Sequence, residues 1–470
     1  MNLKIFNTLS KKLESFIPLN ETVKVYACGP TVYNYPHIGN ARPAIVGDIL
    51  VKVLRNLFKK VVYVRNITDI DDKINDKAKK EKVSIEIISL KYTKVYQENM
   101  RALNVLPPDI EPTVTQNIHS IIKMISTLLE KKHAYEAENH ILFHVPSFKD
   151  YGNLSKRKKD EMIEGARVEV APYKKDPMDF VLWKPSKKDQ PGWDSPWGKG
   201  RPGWHIECSA MSMTHLSNNI DIHAGGQDLM FPHHENEKAQ SEASTGGCFA
   251  NFWVHIRLLE TQGTKMSSSL KNYFSVSNSI SEFGANSIKM FLISTSYLRH
   301  QTYSEAALHE AVERWGRLER TYLRTTNALR ESLPDPTITD EPLRKSIESS
   351  VQNFQTALND DFNTREALVA IFDIVNSLNQ HLEKPEKHDH FALDLAIKTL
   401  DDLARDVLGF SFDLINSNEL FSEELTSLME AREVERSKGN YEKADEIRKE
   451  LDLIGVVVED TENGPTYRRK

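Results

Sequence analysis

Cys28 and His37 stand nine residues apart in YACGPTVYNYPHIGNAR, residues 26–42. Three more side chains of metal-binding type lie far downstream: Cys208 in RPGWHIECSAM, and His233 and Glu237 in FPHHENE. Two thiols, an imidazole and a carboxylate suit a tetrahedral zinc ion by ligand type. If FPHHENE is helical, His233 and Glu237 are four residues apart and share one face. The chain has neither a CxxC pair nor an HExxH motif. Spacing therefore leaves a second reading open, in which Cys28 is an ordinary core cysteine and His233–His234 a helix-start pair. HHENE does not read as a zinc-protease motif, which needs a second His where Glu237 stands. Cys248, in TGGCFA, has no acid or imidazole at ligand spacing and reads as structural.

The elements that would position these groups can be read from local pattern. Val23–Ala27 is rich in β-branched and aromatic residues and predicts a strand. Apolar residues at 45, 46, 49, 50, 53, 54 and 57 have a helical period. A strand thus stops, a glycine- and proline-rich turn carries Cys28 and His37, and a helix begins near Gly39. Val61–Ile67 predicts a second strand, with Asp69 to Asp72 loading the first turn of the next helix. This is a βαβ opening, the mark of an open α/β sheet with its ligands at the carboxyl ends of the strands.

The stretch from about 112 to 200 is less regular, with a helix over 114–131, strand candidates around HILFHV, and the turn-rich WKPSKKDQPGWDSPWGKGRPGW. It reads as an insertion between two halves of the sheet. The α/β pattern resumes with a strand in NNIDIHAGG and a helix over FPHHENEKAQSEAS. From about 284 onward the chain reads as amphipathic helices with a linker at SLPDPTITDEP, and its last block pairs a helix with a β-like end. No internal repeat or low-complexity tract is present.

A length of 470 residues predicts about two to four domains. No apolar run approaches the roughly 20 residues of a membrane span. The opening MNLKIFNTLSKKLESF lacks a signal peptide's apolar core and cleavage site. Three cysteines form no disulfide framework, which points to a reducing cytoplasm. The formal charge of −6 gives no global sign of nucleic-acid binding, and basic clusters such as Lys156–Lys159 and Arg468–Lys470 read as solvated faces.

HIGN at 37–40 resembles the HIGH signature of class I aminoacyl-tRNA synthetases, and KMSSS at 265–269 resembles their KMSKS signature. VRNITDIDDKI, DPMDFVLWK, RPGWHIECSAM and DIHAGGQDLMFPHHENE then place the resemblance in the cysteinyl-tRNA synthetase family, over nearly the whole chain. The resemblance implies a Rossmann-type catalytic domain (1–111 and 201–256) split by a connective insertion (112–200), then a signature-loop subdomain (257–310). A helical bundle (311–409) and a small α+β anticodon-binding domain (410–470) follow.

By the same resemblance, Cys28, Cys208, His233 and Glu237 hold one zinc ion per subunit in the amino-acid pocket, and Thr68, Trp204, His205 and His223 line it with Cys28. His37, Asn40 and Lys265 are the implied catalytic residues. ATP with its Mg²⁺ meets His37, Gly39, Asn40, Asp228 and Lys265. Asn40 replaces the second His of HIGH, keeping hydrogen bonding without ionisation. Ser268 stands where the family has a Lys that touches the triphosphate, and Lys271 is placed to compensate. Arg432, Asp445 and Arg448 are implied base-edge readers, and Tyr467 a stacking residue. The implied partners are ATP, L-cysteine and tRNA(Cys), for a cytoplasmic, monomeric enzyme. A cysteine:aminosugar ligase of the mycothiol type is the nearest rival, and it lacks the carboxyl-terminal domain. A zinc hydrolase is opposed by the signature pair, and a non-catalytic paralogue is kept in play by the altered KMSKS.

Overall fold

The computed structural model describes residues 3–157, 172–187, 190–261, 264–265, 274–384, 387–412, 423–453, 456–461 and 464–469. It begins with an antiparallel hairpin, β1 (Lys4–Asn7) and β2 (Lys12–Ser15), that local pattern did not signal. Then come β3 (Thr22–Ala27), α1 (Ile38–Leu57) and β4 (Lys60–Arg65), the expected βαβ unit. β3 alternates its side chains between two cores: Val23 and Val25 face α1, whereas Tyr26 faces the insertion.

α2 (Asp72–Glu81) and α3 (Ile85–Ala102) follow. The acidic run before α2 is divided in a way the sequence reading did not foresee. Asp71 caps α2 by accepting from the Lys73 amide, while Asp69 lies outside the helix and accepts from the Thr115 amide (3.1 Å) and hydroxyl (2.5 Å). It ties the strand end to the insertion instead of charging a helix turn.

The insertion contains α4 (Ile118–Glu130) and an antiparallel sheet of β5 (Ala134–Ala137), β6 (His140–Phe143), β7 (Phe180–Pro185) and β8 (Gly200–Pro202). After it come α5 (Trp204–His215), β9 (Ile220–Gly226), α6 (Glu235–Thr245) and β10 (Ala250–Ile256). The helix expected from Phe231 starts later. Met230–His234 forms a separate π-type turn in which Phe231 is extended (φ −141°, ψ 131°), the conformation forced on a residue that precedes proline.

The central sheet is parallel in the order β10-β9-β3-β4. Connections leave β3 and β9 in opposite directions, so the switch point lies between those two strands, where an open α/β sheet makes its ligand crevice.

Next come β11 (Leu259–Thr261), β12 (Thr264–Lys265), α7 (Val276–Phe283), α8 (Ala285–Ile293) and β13 (Gln301–Tyr303), with a small sheet ordered β12-β11-β13. The bundle is α9 (Glu305–Glu331), α10 (Glu341–Asn359), α11 (Thr364–Leu382) and α12 (His390–Leu400), which runs into a π-type turn over Asp401–Val407. Phe410 stacks on Trp315 and Phe412 on Tyr322, so bundle packing continues past the expected boundary at 409.

The last block holds two helices where the sequence predicted one: α13 (Glu423–Ser437) and α14 (Tyr441–Leu453) precede the hairpin β14 (Val456–Thr461) and β15 (Gly464–Arg469). Leu428, Met429, Ile447, Leu451 and Val458 make its own small core. Among the described residues no helix is long and apolar enough to cross a membrane.

Candidate active site and metal centre

The four candidate ligands converge at the switch point. The Cys28 amide donates to the Ala224 carbonyl (3.1 Å), which extends the β3–β9 ladder one residue past β3 and fixes the thiol at its end. Cys208 comes from the second turn of α5 and Glu237 from the first turn of α6, where a helix N-terminus favours a carboxylate. His233 sits in the π-type turn just before α6, not on the helix. Its Nε2 still lies 3.0 Å from Glu237 Oε1, so the shared face survives through a different backbone.

The ligand atoms of Cys28, Cys208, His233 and Glu237 all lie within 4.8 Å of one another. Ligands on tetrahedral zinc, with bonds of about 2.0–2.3 Å, stand about 3.3–3.8 Å apart. Cys28 Sγ is 3.2 Å from Glu237 Oε1. A second set, Cys28, His223, His234 and Glu237, meets the same distance criterion. It offers one thiolate where the first offers two.

The electrostatics suit a cation. Burial alone would raise the Glu237 carboxyl, but His223 and His233 hold it well below the usual range. Interaction with the neighbouring Cys28 lowers Cys208 to about 6, while burial and Cys208 push Cys28, whose thiol donates to Glu237 Oε1, well up. Burial would lower His233, yet Glu237 and Cys208 hold it at about 10. Two anions thus face one imidazolium in a largely buried site that is open on the side of the half-buried Cys28. A divalent cation in place of the Cys28 and His233 protons keeps the net charge of the site unchanged and leaves both thiolates, the imidazole and the carboxylate as donors.

The surrounding imidazoles orient the ligands. His205 Nδ1 meets His233 Nδ1 at 2.9 Å, leaving His233 Nε2 aimed at the centre. His234 Nδ1 contacts His255 Nε2 (2.8 Å), whose Nδ1 reaches Thr8 Oγ1 (2.9 Å). His223 is fully buried, with Nε2 3.3 Å from Glu237 Oε2. The exposed Trp204 lays its ring 4.3 Å from that of His233.

Sequence reasoning missed Asn66. Its Oδ1 accepts from the Gly29 amide (3.0 Å) and the Tyr26 hydroxyl (3.2 Å), and its Nδ2 donates to Thr68 Oγ1 (3.1 Å). Thr68 is buried behind this node. Asn66 also lies under Gly29, where an added Cβ would fall 1.6 Å from the Asn66 carbonyl oxygen, so only glycine fits. The signal was present in NITD, where Asn66 stands two residues before Thr68.

His37 is the N-cap residue of α1, and Asn40 Oδ1 accepts from the His37 amide at 3.1 Å. Asn40 therefore has a local task, holding the turn that presents the helix N-terminus. Gly39 leaves room for the His37 ring, whose Nδ1 would lie 2.9 Å from a Cβ there. Asp228 lies exposed just beyond the carboxyl end of β9. Lys265 ends β12, its backbone paired with Glu260, while Ser268 and Lys271 lie outside the described residues.

At the carboxyl end one expectation is corrected. Arg432 is 2% exposed and forms a bidentate pair with Asp460 at 2.8 Å and a contact with Glu433 at 2.6 Å. A guanidinium buried against the hairpin presents no surface to a base edge, so Arg432 is structural. Asp445 is exposed on α14, and Arg448 donates to the Val458 carbonyl (3.0 Å). Tyr467 lies on β15 opposite Val458, with its side chain outside the described part.

A parallel sheet with a histidine-bearing turn before α1, an insertion between its halves and a helical bundle after it is the fold of a class I aminoacyl-tRNA synthetase. Methionyl-tRNA synthetase of Mycobacterium tuberculosis, solved with methionyl-adenylate, superposes with a TM-score of 0.63 over 82% of this chain and 91% of its own at 13% identity. The family model "tRNA synthetases class I (C) catalytic domain" matches residues 15–313. "DALR domain" matches 353–413, and "Cysteinyl-tRNA ligase anticodon binding domain" matches 418–468. The cysteine–tRNA ligase of Parvibaculum lavamentivorans is 44% identical over all of this chain and 98% of its own. That of Haloarcula marismortui is 42% identical over the whole of both. The chain belongs to the cysteine–tRNA ligase family.

Proposed function

We propose that the protein is a cysteine–tRNA ligase that joins L-cysteine to ATP as cysteinyl-adenylate, releases pyrophosphate, and passes the cysteinyl group to tRNA(Cys). The observation that carries the reading is the set Cys28, Cys208, His233 and Glu237 at the sheet's switch point, with Cys28 in the same β3–α1 connection as the HIGN turn. Two thiolates favour zinc at this set over the one-thiolate set, whose His223 and His234 then serve as partners of Glu237 and of the substrate. When bound, zinc supplies a soft Lewis acid that favours the substrate's thiolate and leaves serine's hydroxyl and alanine's methyl without a comparable bond. A purely apolar pocket would separate such side chains by only ~1–3 kcal/mol.

The chain's own residues do the rest. Thr68, held by Asn66, and Trp204, His205 and His223 shape the pocket around the cysteine. As the cysteine carboxylate attacks the α-phosphorus, the P–O bond to pyrophosphate breaks and charge builds on phosphate oxygens. His37 and the N-terminus of α1 meet that charge, with Asn40 holding the turn. Lys265 adds positive charge beside the Mg²⁺–triphosphate, with Lys271 substituting for the lysine that Ser268 replaces. Gly39 and Asp228 take the nucleoside.

Residues 1–111 and 201–256 form the catalytic domain, 112–200 the insertion and 257–310 the signature-loop subdomain. The bundle begins at 311, and the anticodon reader after Phe412 uses Asp445, Arg448 and Tyr467. The enzyme works as a cytoplasmic monomer. The match to an anticodon-binding domain over 418–468 favours tRNA over an aminosugar as acceptor. The test is cysteine-dependent ATP–pyrophosphate exchange followed by charging of tRNA(Cys). Exchange that serine supports equally, or exchange without tRNA charging, overturns the reading.

A further inference from the structure

Arg42 is five residues beyond His37 on α1 and has no exposed surface. A buried guanidinium normally meets a carboxylate. Here, among the described residues, it forms no ion pair, and burial lowers it to about 10. Its two terminal nitrogens are divided between two backbone segments. Nη1 donates to the carbonyls of Arg257 (2.7 Å) and Leu258 (3.4 Å), and Nη2 to those of Ser296 (3.0 Å) and Thr295 (3.5 Å).

Both segments lead into the small sheet that carries the signature lysine. Residues 257–258 run directly into β11, whose antiparallel partner β12 ends at Lys265. Residues 295–296 lead to β13, the parallel neighbour of β11 on its other side. Arg257 adds a lateral tie by donating to His300 Nε2 (3.1 Å), which fixes the proton on His300 Nδ1, 2.9 Å from Glu260 Oε1. The segment after the signature is fastened to the same turn from the other side. The Ile38 amide donates to the Phe274 carbonyl (3.0 Å), and the Val276 amide to the Pro36 carbonyl (2.9 Å).

We infer that Arg42 is a positioning residue for ATP activation: its guanidinium fork locks the strand pair that carries Lys265 to the helix that carries His37. The two charged groups come from segments more than 220 residues apart, and backbone bonds at 274–276 secure only the downstream end. Without the fork, β11 and β12 can shift against α1 while the fold stands. A carboxylate partner would neutralise the guanidinium but hold one side chain, whereas four carbonyls let one residue hold two backbones. Lysine cannot replace it, because a single ammonium cannot span both carbonyl pairs.

The inference rests on the proposed ligase activity, and the parent enzyme's pyrophosphate exchange tests that separately. Arg42→Lys keeps the charge and loses the fork. A misplacement of about 1 Å can cost 10²-fold in rate. The expected result is therefore exchange slowed about 10- to 100-fold with KM for ATP raised, while KM for cysteine and bound metal stay at parental values. Amide exchange over 257–261 should quicken, and that over 22–27 should not. Arg42→Gln, with two donors and no charge, should behave alike. Parental kinetics in both variants overturn the inference, as does an equal loss of cysteine and ATP affinity. Failure of both variants to accumulate as folded protein also overturns it, since Arg42 would then be a determinant of folding and not of position.

Discussion

Asn66→Ala is the substitution whose cost the structure allows to be worked through. The change removes a partner from the Gly29 amide, the Tyr26 hydroxyl and the Thr68 hydroxyl, along with a longer contact to Cys208 Sγ at 3.7 Å. Tyr26 is wholly buried and Thr68 is 2% exposed, so water cannot replace the lost partner of either. Each stranded buried polar group costs about 1–3 kcal/mol. With partial relaxation the turn after β3 should lose about 3 kcal/mol against local opening. At about 1.4 kcal/mol per tenfold, its amides should exchange ~10²-fold faster. Hydrogen exchange read by mass spectrometry on a peptide spanning 26–32 measures this locally, with no need for two-state unfolding of a multidomain chain. Asn66→Asp keeps the acceptor for Gly29 and Tyr26 and lets Thr68 turn its hydroxyl to donate, so it should protect the Gly29 amide better than alanine does. Exchange in Asn66→Ala within threefold of the parent would refute the reasoning, because Asn66 would then be a bystander to the turn.

Cys208→Ser should lower bound zinc from about one per chain to a small fraction, since it leaves the one-thiolate set; elemental analysis after gel filtration reads it, and full occupancy would remove Cys208 from the ligands. Burial and Lys52 lower the buried Lys289 to about 7, below a lysine's ordinary 10.5. The unfolded chain thus takes up its proton first as pH falls, and stability that is complete above about 10.5 drains away down to about 7, by about 5 kcal/mol, and is flat below. Lys289→Met should flatten urea midpoints across that window, and an unchanged slope would contradict it. Arg432→Gln should loosen α13 and β14 by about 2–3 kcal/mol, less than a fully buried pair would lose because Asp460 is 34% exposed. Amide exchange should report this, whereas intact stability with lost anticodon discrimination would restore Arg432 as a reader.

The parallel sheet, the insertion and the helical second half were legible because each rests on local periodicity, and the convergence of Cys28, Cys208, His233 and Glu237 was legible by residue type and resemblance. What escaped was set by contacts distant in sequence. Phe231 is extended because Pro232 follows it, which moved His233 off the helix without moving it from Glu237. Arg432 was expected to read a base edge because nothing local reveals its partner Asp460, which lies 28 positions on in the closing hairpin. Asn66 and Arg42 are polar residues inside apolar surroundings, and their value appears only when the groups they hold are assembled around them. Ser268 and Lys271 remain expectations from the signature, outside the described residues.

The pairing of β3 with β9 has a consequence for how the enzyme is made. β4 is synthesised soon after β3, but β9 begins almost 200 residues later, beyond the whole insertion. At about 5–20 residues per second the ribosome needs about 10–40 s to travel from Cys28 to Glu237. During that interval β3 has one neighbour and an open flank of unpaired amides and carbonyls, and the Cys28 thiol stands bare at its tip. Parallel pairing over such a span is slow, and an open strand flank is sticky. The most hazardous moment in the life of this chain is therefore its half-made state, and the length of the insertion sets how long that moment lasts.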